Sequence, residues 1–315
     1  MVIGSKGLLK TYFQFPTSNF QLPTLNLSPH IYLIDKSFSK QKAASYKLYL
    51  QISKTDIKIT ILDTDSNTFI GLSVYLLNDV FTFHGLTEPL SEFIKKNPFL
   101  QTQYQSINIA FVNDRATILP NAVFNKSELA TYHQFNFEKL NEDVFFNDSF
   151  TNIAAQNVFA VPDYLINPFS EVNNKRICHF STSLIEASLL YAKSTNALSL
   201  VDVHVLPSSF QILIIKNQQL ELYNSFDYQT SEDFIYYLLF VLEQQKIDNK
   251  QASIRLLGEV EKNSTIYNLL YTYINEVTIV PKRALMKDSP LKLSYVFDDI
   301  NASFYYSLFQ QYLCE

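Results

Sequence analysis

The chain has 315 residues, 47% of them hydrophobic and 17% charged, with a net charge of −5, five glycines and two cysteines. That balance describes a globular protein large enough to split into two lobes. It disfavours nucleic-acid binding, which needs a cationic surplus against phosphate, and offers no disulfide framework.

Residues 1–44 combine Pro16, Pro23 and Pro29 with many Asn, Ser and Thr, which predicts an extended arm holding one short strand over 31–34. Lys6 and Lys10 are followed by no sustained apolar stretch or small-residue cleavage site, so no signal peptide is expected. With Cys178 and Cys314 both read as free thiols of a reducing interior, the expectation is a cytoplasmic protein. From Tyr46 the pattern changes. Leu48, Leu50 and Ile52, then Ile57, Ile59 and Ile61, then Phe69, Leu72, Val74 and Leu76 predict three strands of an antiparallel meander. Turns at Lys54-Thr55-Asp56 and Asp65-Ser66-Asn67 separate them. A helix follows, with Thr87 at its start, Pro89 in its first turn and Leu90, Phe93 and Ile94 on one face. A strand over 107–112 and an irregular stretch around Leu119-Pro120 complete the first lobe, expected over residues 45–175.

The second lobe, expected over 176–315, repeats this order. Val201, Val203 and Val205, then Phe210, Ile212 and Ile214, then Leu220, Leu222 and Phe226 mark a second meander, with turns at Pro207-Ser208 and Asn217-Gln218. Sliding one half of the chain onto the other lays residues 51–57 over residues 204–210. Thr230 and Asp233 then form a capping box that opens a helix apolar nearly all round, hence expected to be buried. Its apolar run, residues 234–242, falls short of the roughly 18 residues that cross a bilayer, so no transmembrane segment is expected. A strand over 254–257, Gly258, and a helix with Ile266, Leu269, Leu270 and Tyr273 on one face follow. Ala302, Tyr305, Tyr306 and Phe309 show the same helical spacing. A doubled meander, helix, strand and helix predicts an α/β protein of two lobes, each a mixed sheet flanked by helices, as in the actin, sugar-kinase and Hsp70 superfamily.

At this point the chain resembles an uncharacterised bacterial family of unknown function with an actin-like ATPase fold. The resemblance rests on Asn224-Ser225-Phe226, Glu232-Asp233-Phe234, Tyr236-Tyr237, Val161-Pro162, His179 after a strand, and Leu257-Gly258-Glu259, and covers residues 31–315. No activity comes with it. More distantly the layout is similar to the cytoplasmic actin-like component of type IV pilus assembly, which binds partner proteins.

In active members of that superfamily the first hairpin of each meander is an Asp-x-Gly phosphate loop. The Asp orders Mg²⁺ while backbone N–H groups take phosphate oxygens. The resemblance puts Gln51 and His204 at the acid positions, and Ser53 and Leu206 at the glycines. Gln51 has no charge for a hard cation, imidazole is a poor magnesium ligand, and Pro207 removes a donor. Gly258-Glu259 keeps one glycine of the expected adenosine-side pair. All five glycines, Gly4, Gly7, Gly71, Gly85 and Gly258, stand alone, so no glycine-rich phosphate loop exists elsewhere. Asp56 and Asp202 are the only nearby acids, and Asp202 is expected to face away from Val201 and Val203.

Other features read as structure. Cys178 and His179 point opposite ways on a strand and form no nucleophilic dyad. His30, His84, His133, His179 and His204 show no metal-ligand spacing. Acid pairs Asp63/Asp65, Glu142/Asp143 and Asp298/Asp299 read as solvated turn charges. The 26 Phe and 20 Tyr mostly fill cores. The Phe-rich stretch over 132–150 is either a protein-binding patch or buried between the lobes. Two functions remain. One is a noncatalytic actin-like module, without a cofactor, that binds a protein partner or itself. The other is an ATPase or small-molecule kinase holding ATP and Mg through Ser53, Thr55, Ser208, Ser209 and Gly258.

Overall fold

A computed structural model describes residues 24–25, 28–78, 83–287 and 289–315; the part of the expected arm before Thr24 lies outside them. In chain order the first half contains β1 (Thr24–Leu25), β2 (Ile31–Ile34), β3 (Tyr46–Ile52), β4 (Asp56–Asp63), β5 (Thr68–Asn78), α1 (Thr87–Lys96), β6 (Ser106–Phe111), β7 (Ala116–Pro120), α2 (Leu129–Gln134), β8 (Asp143–Ser149), β9 (Ala155–Pro162), α3 (Asp163–Ile166) and β10 (Lys175–His179). The second half contains α4 (Phe180–Ser194), β11 (Ser199–Val205), β12 (Ser209–Lys216), β13 (Gln219–Asp227), α5 (Ser231–Gln244), β14 (Ser253–Gly258), α6 (Thr265–Tyr273), β15 (Glu276–Ile279), β16 (Lys292–Leu293) and α7 (Tyr306–Phe309).

Two mixed sheets carry the fold. In the first, β5-β4-β3-β6-β10 runs antiparallel through the meander and parallel from β3 to β6 to β10. In the second, β13-β12-β11-β14-β15 has the same order and directions. The register matches as well: Gln51 lies opposite Lys58 in the first hairpin, and His204 opposite Gln211 in the second. The chain is thus a duplicated α/β fold of two lobes, as its periodicity predicts. The hairpin turns use the expected residues, with Asn67, Asn217 and Gln218 in the left-handed region that tight β-turns require.

Each lobe has its own core. Leu48, Leu50, Ile59 and Ile109 pack with Phe93 and Phe159 in the first. Val203, Ile212 and Leu256 pack with Phe234 and Leu238 in the second. A third core joins them, because α4 and the C-terminal segment bury Phe180, Leu184 and Phe309 against Tyr49, Phe69 and Leu213. Helix α4 was not anticipated from periodicity. It is buried nearly all round, through Ser181, Thr182, Ser183, Glu186 and Ser188 as well as its apolar residues, so it shows no amphipathic stripe.

Four expectations are corrected. Leu119-Pro120 closes strand β7, which pairs with β9 in a third, three-stranded sheet, and Pro120 is accommodated at its edge and end. The C-terminal segment is α7 between two short 3₁₀ turns, Ala302–Tyr305 and Gln310–Cys314, rather than one helix. Helix α5 buries only one side: Tyr236 and Phe240 are exposed. The pair Glu142/Asp143 is no solvated turn, because Arg115 forks onto Asp143 at 2.6 and 2.7 Å.

The Phe-rich stretch over 132–150 forms α2 and β8. Its rings divide among several tasks. Phe137 and Phe145 enclose the buried His133, Phe146 stacks on Phe159, and Phe150 joins the interlobe core, while Phe135 is exposed. Phe309 meets Phe69 at 5.1 Å and Phe297 at 5.3 Å between ring centroids, pinning the C-terminal segment onto the first sheet. Phe309→Ala therefore removes about 3–5 kcal/mol of stability, measured by urea unfolding, with both lobes losing protection together.

Candidate functional site

The two meanders bring their first hairpins face to face. Ser53, Thr55, Asp56 and Lys58 from the first lobe and Leu206, Ser208 and Ser209 from the second line one cleft of about 100 Å³ between the lobes. Thus four of the five sequence-predicted site residues meet there. Gly258 does not line it. Its φ is +79°, and a Cβ would stand 2.4 Å from the Val205 carbonyl oxygen and 3.0 Å from the His204 ring. The glycine is required by backbone conformation and close packing.

The first hairpin is closed upon itself. Ser53 Oγ accepts the N–H groups of Thr55 and Asp56, both at 3.0 Å, and stands 3.0 Å from Asp56 Oδ1. Thr55 Oγ1 donates to Asp56 Oδ2 at 3.2 Å. The donors that a phosphate loop turns outward are spent on the loop's own serine. In the second hairpin Leu206 N–H donates to the Ser209 carbonyl, and the Tyr228 hydroxyl donates to the Leu206 carbonyl at 2.7 Å.

A lysine crosses between the lobes. Lys58 Nζ stands 3.0 Å from Asp56 Oδ2 and 2.7 Å from Glu259 Oε1, the latter on the turn after β14 in the opposite lobe. The Lys58 and Asp56 side chains are each only 8% exposed. Burial alone would lower the ammonium's pKa. The charges of Asp56 and Glu259 outweigh it and hold Lys58 well above the ordinary lysine range. No sequence signal marks this clasp, since nothing local pairs residues 58 and 259.

Gln51 and His204, where the resemblance expects acids, are built into the framework. Gln51 is buried and its side-chain oxygen accepts from Ser307 Oγ of the C-terminal segment at 3.3 Å. His204 is buried, and Gln211 Oε1 accepts from its Nδ1 at 2.8 Å, because the Gln211 amide donates to Ser225. That leaves Nε2 as a bare nitrogen beside Gly258, and burial pushes the imidazole pKa down to about 4. Asp202 faces away from Val201 and Val203, as alternation requires, and Arg255 forks onto it while Ser188 donates to it at 2.6 Å. Neither Asp56 nor Asp202 is free to order a cation.

At the start of α4, His179 Nδ1 accepts the Ser181 N–H, and Nε2 faces Asn113 Oδ1 at 3.1 Å. The ring is thus an uncharged N-cap, and burial pushes its pKa down to about 3. Cys178 points elsewhere, toward Ile109 O and Cys314, and the contact with Cys314, together with burial, raises its thiol pKa. Among the described residues no group of three or more His, Cys, Asp or Glu could hold a metal, and no helix is long and apolar enough to cross a membrane.

The family model for a protein of unknown function, DUF3822, matches residues 35–277. The chain belongs to the DUF3822 family. No curated protein matches this DUF3822 chain. A solved protein of Bacteroides thetaiotaomicron, described as having an actin-like ATPase fold and unknown function, is 22% identical, with 77% of this chain and 93% of that one covered at a TM-score of 0.69. The PilM-PilN type IV pilus biogenesis complex supplies a second neighbour, 12% identical over 85% of this chain and 98% of that one, at a TM-score of 0.55. These likenesses give the DUF3822 chain the actin-like fold that its strand order already shows.

Two outcomes follow for stability. Lys58→Ala strands two carboxylates between the lobes and removes about 3–5 kcal/mol in urea unfolding at neutral pH. Acid acts through the imidazoles. His133, His179 and His204 have folded pKa values lowered to about 4, 3 and 4, below about 6.5 in the unfolded chain, so their stability contribution is present near neutrality and lost as pH falls. Asp148, raised to about 6 by burial, works the other way with one proton. Three groups outweigh one, so stability measured between pH 6.5 and 4 falls as the solution is acidified.

Proposed function

We propose that the DUF3822 chain is a noncatalytic actin-like protein that works by binding another protein or itself, its interlobe cleft filled by its own side chains. The observation that carries this reading is Lys58, an ammonium that lines the interlobe cleft and is held between Asp56 of the first lobe and Glu259 of the second. Three further features support it. The first hairpin's N–H donors are satisfied internally; Leu206 and Pro207 occupy the second hairpin; and about 100 Å³ is small beside the roughly 300–1,000 Å³ of ordinary ligand pockets. Exposed Asp114 and Asp227, one from each lobe, line the cleft and disfavour a polyphosphate there. The PilM-PilN complex, of the same fold, supports protein binding as a use for such a scaffold.

A second reading, a nucleotide-binding enzyme using ATP and Mg, is favoured by one observation: Ser53, Thr55, Ser208 and Ser209 do converge on a single cleft. Thermal unfolding with millimolar Mg-ATP separates the two. The first reading predicts no shift. Occupancy at 100 times the dissociation constant would add about 2.7 kcal/mol of apparent stability, and a shift of that kind abolished by Ser208→Ala/Ser209→Ala establishes the second.

A further inference from the structure

Four of the large hydrophobic side chains left exposed on this molecule lie on two adjoining helices of the second lobe: Tyr236 (64%) and Phe240 (46%) on α5, and Tyr271 (64%) and Tyr273 (44%) on α6. The inward faces of both helices are already used, since Phe234, Leu238, Leu242 and Leu270 fill the second core. The outward rings are ordered against one another. Tyr236 stacks on Phe240 at 6.4 Å, and Tyr271 on the half-buried Tyr267 at 6.2 Å.

Charge specifies what covers them. Glu232, Tyr236, Phe240 and Glu243 are spaced i, i+4, i+8 and i+11, so they form one ridge along the outward face of α5, with an exposed carboxylate at each end. Neither α5 nor α6 contains a lysine or arginine; the nearest along the chain, Lys246, follows the C-terminus of α5. The ridge spans roughly 16 Å between the two glutamates at 1.5 Å per residue. A second copy would pair poorly: antiparallel packing of two such ridges brings Glu232 of one toward Glu243 of the other. Parallel packing sets each glutamate against its own counterpart.

We infer that the Tyr236–Phe240 ridge of α5 is a docking surface for a basic amphipathic segment of a partner protein, whose apolar side chains cover the rings and whose Lys or Arg residues meet Glu232 and Glu243. Aromatic anchors ringed by charge are what such interfaces use for affinity and orientation. The surface lies away from the interlobe cleft, and the inference stands whether or not that cleft takes nucleotide.

The test titrates the full chain into a labelled synthetic amphipathic helix with a leucine stripe and arginines at both ends, followed by anisotropy at low salt. The counterpart peptide carries glutamates in place of the arginines. The arginine peptide is expected to bind and the glutamate peptide at least tenfold more weakly. Tyr236→Ser/Phe240→Ser and Glu232→Gln/Glu243→Gln are each expected to weaken the arginine peptide tenfold or more, with circular dichroism and unfolding midpoints near the parent's. All four side chains face solvent, so these variants retain the fold. No binding, equal binding of both peptides, or affinity unchanged in either double variant overturns the inference. So does a concentration-dependent dimer in sedimentation that Tyr236→Ser/Phe240→Ser abolishes, which assigns the face to a second copy.

Discussion

An ammonium shared by two lobes is the constraint around which this molecule is arranged. Lys58 leaves the first sheet at the position opposite Gln51, meets Asp56 on its own hairpin, and reaches Glu259 on the turn behind Gly258. A charge so buried is tolerable only with both carboxylates in place. The first hairpin and the turn after β14 must therefore stay close, which holds the lobes together at the cleft. The left-handed Gly258 serves the same end, letting the β14 turn press on Val205 and His204 so that Glu259 arrives within reach.

The rest of the interlobe contact agrees with a fixed arrangement. Helix α4 threads between the lobes, capped by His179 at one end, and its Glu186 carboxylate takes the N–H groups of Thr151 and Asn152 at the tip of the β8–β9 hairpin. The C-terminal segment belongs to the second half of the chain but packs on the first sheet, where Gln311 donates to the Asn108 carbonyl at 2.9 Å. Apolar burial in the shared core supplies the bulk of the cohesion, while polar contacts such as these fix the relative placement of the lobes.

Much of the architecture was legible from local pattern. Alternating Val and Ile residues marked both meanders, and Thr230 with Asp233 marked the capping box, which the structure contains in both directions. These are short-range signals, set by side-chain alternation and by orphan backbone donors. Helix α4 and the sheet of β7, β8 and β9 were not legible, for a shared reason: a helix buried on every side has no stripe, a strand buried along its whole length, as β9 is, has no alternation, and β8 breaks its apolar pattern with Asp143, Asn147 and Asp148. Asn157, for example, is buried and donates to Ser181 and Thr182, a pairing visible only once the elements pack. The candidate site divides the same way. Periodicity alone placed Ser53, Thr55, Ser208 and Ser209 on equivalent hairpins, but the Lys58–Glu259 clasp joins residues far apart in the chain, and no periodicity encodes it.

The most direct measurement is a crystal structure of the protein grown with magnesium and a non-hydrolysable ATP analogue. Lys58 is expected still between Asp56 and Glu259, with no ordered triphosphate between the hairpins. Density for phosphates cradled by residues 53–56 and 206–209, with Lys58 swung away from Glu259, would contradict this expectation.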